Sequence, residues 1–275
     1  MGSISSQTNR ASFRARRASD SPAARALARI GLAARGVIYI LIGWLAIQVA
    51  LGQSSQQPNQ QGALQLLAGS TLGLITLWLI GIGFVGYALW RLSEAAFGVT
   101  GEGNGAGPRL KSLARAIVYA FLAVLTFKVI VGSAGSQSHK QQDVTASVMH
   151  HTGGQWLVGL VGLIIVIVGG VMVFEGIKRK FMKYLRTGEM SRRTRQIVER
   201  LGQVGTIARG VVFAIVGALI IDAAVTFSAK KSGGLDKALL TLRHQPFGEF
   251  LLLIVAVGLL IFGVYGLCEA RWRKV

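Results

Sequence analysis

A chain of 275 residues with 52% hydrophobic residues, a mean hydropathy of +0.52 and a net charge of +19 is too apolar for an ordinary soluble domain. Its single cysteine, Cys268, excludes an internal disulfide. The basic excess lacks the aromatic or motif framework of a nucleic-acid binder, so no nucleic-acid partner is expected, and in a membrane protein such an excess marks cytoplasmic loops.

Residues 1–23 carry Arg10, Arg14, Arg16 and Arg17 among many Ser and Ala. With so little apolar surface they are expected to form a disordered, basic, cytoplasmic tail. Beyond them lie six apolar runs, alternately labelled A and B. A1 covers 36–52, B1 72–90, A2 116–132, B2 156–174, A3 210–227 and B3 250–268. Each approaches the ~20 residues that cross ~30 Å of hydrocarbon, and lipid leaves helices as the natural spanning form.

The runs repeat. Ala34-Arg35-Gly36-Val37-Ile38-Tyr39 opens A1, Ala114-Arg115-Ala116-Ile117-Val118-Tyr119 opens A2, and Ala208-Arg209-Gly210-Val211-Val212-Phe213 opens A3. Glu94, Glu175 and Glu269 close the B runs, 59, 60 and 60 residues after the preceding Arg. The unit is therefore an A–B pair made three times, which predicts repeat 1 over 24–104, repeat 2 over 105–189 and repeat 3 over 190–275. Because A1 matches A2 and A3, it is expected to stay as a spanning helix and not to leave as a signal peptide.

Of the 30 Lys and Arg residues, 24 lie in the N-terminal segment, the B–A connections and the C-terminus. Positive-inside then places both termini in the cytoplasm. Two spans per unit make all three units insert the same way up. The fold expected is an all-α membrane protein of six transmembrane helices, as three parallel two-helix repeats with pseudo-threefold symmetry. Small residues recur seven apart: Gly36 and Gly43, Ala116 and Ala123, Gly210 and Gly217 on the A helices; Gly81 and Ala88, Gly162 and Gly169, Ala256 and Gly263 on the B helices. Two turns apart, they form stripes that let membrane helices approach closely. Between B2 and A3, Ile197, Leu201 and Val204 recur at helical spacing among Arg192, Arg193, Arg195 and Arg200, as in an amphipathic helix lying at the inner surface.

Two sets of candidate site residues follow. Arg35, Arg115 and Arg209 begin the A helices and Glu94, Glu175 and Glu269 end the B helices, all at the inner interface. They are read as ion pairs tying A to B or one repeat to the next, or alternatively as a ring of six charges around an inner vestibule. Thirteen residues after each Arg come Gln48, Lys128 and Asp222, about 20 Å along each A helix. If the A helices surround the axis, these three form an intramembrane polar site with Lys128 and Asp222 paired. Alternatively Lys128 snorkels outward and Asp222 caps the outer end.

His139, His150 and His151 lack any metal-ligand spacing, and no nucleophile elbow, P-loop or dinucleotide fingerprint occurs, so no metal, no cofactor and no enzymatic activity are expected. The A-R-G-x-x-Y opening, the three two-helix units and the Glu closing each B run resemble a bacterial membrane family catalogued as domain of unknown function 1206. The resemblance covers residues 24 to 274 and implies a bacterial inner-membrane protein with no assigned activity. Two functional classes remain. One is a non-enzymatic protein that binds anionic lipid headgroups, or an unidentified protein partner, through its basic cytoplasmic face. The other is a solute or ion pathway along the pseudo-threefold axis, which would need an axis lined by polar residues.

Overall fold

The computed structural model describes residues 22–53, 57–98, 106–133, 137–151 and 153–274. The tail expected to be disordered thus lies almost wholly outside the described residues. Among the described residues, six helices are long and apolar enough to cross a membrane: α1 (Pro22–Ala50), α3 (Thr71–Phe97), α4 (Ala106–Ile130), α6 (Gly154–Ile177), α7 (Arg192–Val225) and α9 (Gly248–Trp272). They alternate as A and B. Each A–B connection carries a short helix: α2 (Gln60–Ala68), α5 (Gln137–Met149) and α8 (Leu235–Arg243). Among the described residues there is no strand beyond a single antiparallel bridge, Leu185 to Arg273, where the 180–190 connection clasps the end of α9.

Capping and pattern account for the boundaries. The Asn59 side chain accepts from the Gly62 amide at 2.9 Å and starts α2, Ser70 accepts from Gly73 at 3.1 Å and starts α3, and Ser191 accepts from Thr194 at 3.1 Å and starts α7. The amphipathic stretch around Ile197 and Val204 differs from the expectation. It is not a separate surface helix but the first turns of α7, which runs unbroken for 34 residues, about 51 Å, so it projects well beyond the hydrocarbon. Nothing between Arg192 and Arg209 breaks a helix, and Gly202 and Gly205 are tolerated because the first is packed against the Phe181 and Tyr265 rings and the second against the Phe262 backbone.

The glycine stripes decide which helices meet. α1 packs closely on α9, α7 on α6 and α4 on α3, so each B helix lies against the A helix of the next unit, and the third returns to the first. A methyl group at Gly43 would lie 2.7 Å from the Leu260 amide nitrogen, and one at Gly36 2.8 Å from the Gly263 carbonyl. In the α6–α7 pair, a methyl at Gly217 would lie 2.7 Å from the Gly162 carbonyl, and one at Gly169 2.7 Å from the Gly210 carbonyl. Backbone is in contact with backbone, leaving no room for a side chain. The α3–α4 pair, which has Ala116 and Ala123, uses rings instead. Tyr87 and Tyr119 lie 4.3 Å apart between centroids, and Trp78 and Phe127 5.6 Å.

Within a unit, A and B meet through a second stripe. A methyl at Gly31 would lie 2.8 Å from the Gly83 carbonyl, joining α1 to α3. The equivalents in the third unit are Gly205 and Gly258, and a methyl at Gly205 would lie 2.7 Å from the Phe262 amide nitrogen of α9. In the second unit these positions hold Lys111 and Ile164. Among the described residues α4 and α6 make no comparable contact, and Ile164 is exposed. Two seams of the threefold arrangement are closed and the third is open.

The interior of the bundle is filled. Ile42, Leu45, Leu77, Phe84, Leu252 and Leu259 are completely buried between α1, α3 and α9, and Ala63, Leu64, Ala238 and Leu239 from the short helices pack above them. Facing outward, the spanning helices present Leu, Ile and Val to the bilayer, with Trp156 and Phe247 exposed at the starts of α6 and α9. Rings at the end of a span suit the membrane interface. Gly169 and its neighbour Gly170 separate the two faces of α6. Gly169→Val is expected to cost about 1–3 kcal/mol through overpacking against α7, whereas a methyl at Gly170 meets nothing within 4 Å. Gly170→Val should therefore stay within about 0.5 kcal/mol of wild type. Unfolding in detergent, followed by circular dichroism, measures both.

Candidate functional site

The repeated Arg and Glu positions of the three units gather at the end of the bundle that carries the described termini. Arg35 lies one turn past the buried Leu32 on α1, and the α1–α9 glycine contact brings it against the last turn of α9. There its guanidinium pairs with Glu269, whose other oxygen pairs with Arg273, four residues on in the same chain. All three side chains are largely buried. Because α1 and α9 belong to the first and third units, this pair closes the ring of repeats. Arg35 also stacks over the Phe262 ring at 5.5 Å.

The other two units use their charges differently. Glu94 is buried but takes its cation from its own helix: the Arg91 Nη1 donates to it at 2.6 Å, while Arg91 Nε and Nη2 donate to the Tyr87 hydroxyl at 3.0 and 2.8 Å. The Ser112 hydroxyl at the start of α4 donates to the same carboxylate at 3.2 Å, and the Arg109 guanidinium donates to the carbonyls of Ala95 and Ala96 at 2.7 Å each. Here α4 is held to α3 by hydrogen bonds, without Arg115. Arg209 sits in a cage of rings, 5.2 Å from Tyr39, 5.1 Å from Phe213 and 5.0 Å from Phe262. Among the described residues, no carboxylate pairs with Arg115 or Arg209, and no cation pairs with Glu175. Of the three expected Arg–Glu pairs, the structure brings together Arg35 and Glu269 alone.

The polar set expected at the other end does not assemble. Asp222 pairs with Lys231, 3.1 Å away in the connection that follows α7, and not with Lys128. Lys128 is exposed beside the open seam, and Gln48 is half-buried on α1. The three lie on different walls of the bundle because apolar side chains, not the A helices' polar positions, fill the centre. Among the described residues no cluster of His, Cys, Asp or Glu is arranged to hold a metal. His151 Nδ1 lies 2.8 Å from the Ser147 carbonyl and His150 lies edge-on to Phe227, while the side chain of His139 falls outside the described residues.

Arg91 and Arg273 are invisible in the repeat, since neither position holds an Arg in all three units. Their signal was local: Arg91 stands four residues after Tyr87 and three before Glu94, and Arg273 four after Glu269, the spacings at which helical side chains meet. Glu269→Gln would leave Arg35 and Arg273 facing each other without a counter-charge. It is expected to destabilise by about 3–5 kcal/mol, while Glu175→Gln should stay within about 0.5 kcal/mol of wild type. Thermal unfolding of the two variants side by side checks the difference.

Three stretches, residues 30–98, 110–179 and 204–273, each match the family model described as Domain of Unknown Function (DUF1206), and each contains one A–B pair. The chain is 32% identical over 250 residues, 90% of its own length and 90% of the relative's, to the uncharacterized protein YxxB of Bacillus subtilis (strain 168). No solved structure matches it. With the same domain occurring three times along its six membrane-spanning helices, the chain belongs to the DUF1206 family.

Proposed function

We propose that this is a non-enzymatic protein of the inner (plasma) membrane, with both termini cytoplasmic, whose basic end binds anionic lipid headgroups. The observation that carries the reading is the charge balance at that end. Lys178, Arg179, Lys180, Arg192, Arg193, Arg195 and Arg200 are exposed around the foot of α7, along with Arg109, Lys111 and Arg271. The carboxylates nearby are largely spent: Glu94 and Glu269 in buried pairs, Glu189 on Arg186 and Glu199 on Arg179. Ile197 and Val204, both exposed on the projecting turns of α7, add apolar surface at the same level. A basic surface with apolar side chains interleaved is suited to an anionic leaflet, at about 1 kcal/mol per charge near the membrane.

The filled interior weighs against a pathway on the axis. The side chains there are Leu, Ile, Phe and Tyr, and Gln48, Lys128 and Asp222 do not converge on it. Protein reconstituted in nanodiscs of phosphatidylglycerol should unfold at a higher temperature than in phosphatidylcholine, and added salt should shrink the gain. The combination Arg192→Gln, Arg193→Gln and Arg195→Gln should remove up to about 3 kcal/mol of it. Equal stability of wild type in the two lipids would refute the reading.

A further inference from the structure

The open seam of the second unit forms a cavity of about 590 Å³ at the end of the bundle opposite the basic foot. Phe121 and Val124 of α4 wall one side, Leu157 and Val161 of α6 the other, and α5 roofs it. All four wall residues are exposed to the bilayer side. The polar groups gather at the α5 end, where Lys128 and Lys140 line the cavity and no carboxylate does. Among the described residues neither ammonium has an ion-pair partner: Asp143, three residues after Lys140 on α5, does not line the cavity, and Asp222 is taken by Lys231.

We propose that this cleft holds one acyl chain of an anionic phospholipid from the leaflet at that end, with its phosphate bound between Lys128 and Lys140. Three observations select this occupant. First, the opening is particular to the second unit: Gly31 with Gly83 and Gly205 with Gly258 shut the sister seams, while Lys111 and Ile164 hold this one apart. Second, the size suits a chain. At about 590 Å³ it falls within the range of sites that take a small, mostly apolar ligand. Third, the charge is complementary. Two ammonium groups without counter-ions stand at the boundary between hydrocarbon and water, where a lysine stem lies along apolar surface and its head reaches the phosphate level. The site is at the opposite end from the basic foot and does not depend on the lipid binding proposed there.

Detergent-purified protein titrated with phosphatidylglycerol and, separately, phosphatidylcholine of the same chains, with retained lipid counted by native mass spectrometry, tests this. One phosphatidylglycerol should be held in preference to phosphatidylcholine. Lys128→Gln with Lys140→Gln should weaken it on the order of tenfold, and Val161→Trp, which fills the cleft, should abolish it. The Arg192, Arg193 and Arg195 triple variant should keep it, which separates this site from the basic foot. Retention unchanged in the lysine variant, or lost only in the triple variant, overturns the proposal. A benzophenone side chain introduced at Phe121 supplies a readout in intact membranes that needs no cavity-filling variant. Crosslinks to phospholipid are expected; crosslinks to a protein, or no lipid adduct, overturn the assignment.

Discussion

Everything in this bundle follows from how closely its helices can approach. Between membrane helices the hydrophobic effect offers little, since lipid tails are as apolar as leucine, so association rests on van der Waals contact and a few polar bonds. Gly36 and Gly43 on α1 meet Gly263 and Ala256 on α9, and Gly210 and Gly217 on α7 meet Gly169 and Gly162 on α6. At these crossings one backbone lies directly on the other. The tight pairs are therefore made between consecutive repeats, and the last helix must return to the first. Arg35 meets Glu269 because this closure sets the start of α1 beside the end of α9.

A triplicated sequence need not give three equal seams. The interlock between repeats tolerates Ala116 and Ala123 in the second unit because tyrosines and Trp78 with Phe127 fill the wider α3–α4 gap. The interlock within repeats is less forgiving. Glycine at positions 31 and 205 admits a neighbouring helix, and Tyr87 or Phe262 packs into the space. The second unit has Lys111 at that glycine position and Val168 in place of the ring. A long cationic stem blocks the approach and a smaller side chain leaves the gap unfilled, so α4 and α6 stand apart and a cavity opens between them.

The buried carboxylates show a related competition. A carboxylate buried at the edge of the hydrocarbon, as Glu94 and Glu269 are and the half-buried Glu175 is not, needs a cation, and one on its own helix is close at hand. Glu94 takes Arg91, one turn away, and Glu269 takes Arg273 as well as Arg35. Arg209, left without a carboxylate, is accommodated by the faces of Tyr39, Phe213 and Phe262, whose quadrupoles attract a guanidinium. Equivalent arginines thus end in different surroundings, each decided by which side chains the neighbouring helix presents.

The sequence by itself determined the all-α membrane class, the six spans, the three-unit repeat and the small-residue stripes, because each is a property of one segment: its length, its hydropathy or its period. It also placed Arg35 and Glu269 at one depth, since residue count along a helix measures depth directly. Depth is not azimuth. That α9 closes onto α1, that Lys128 and Asp222 lie on separate walls, that Asp222 finds Lys231 and that the second seam stands open all depend on the rotation of each helix about its axis. That rotation is set by which backbones can touch, and only the packed tertiary structure decides it.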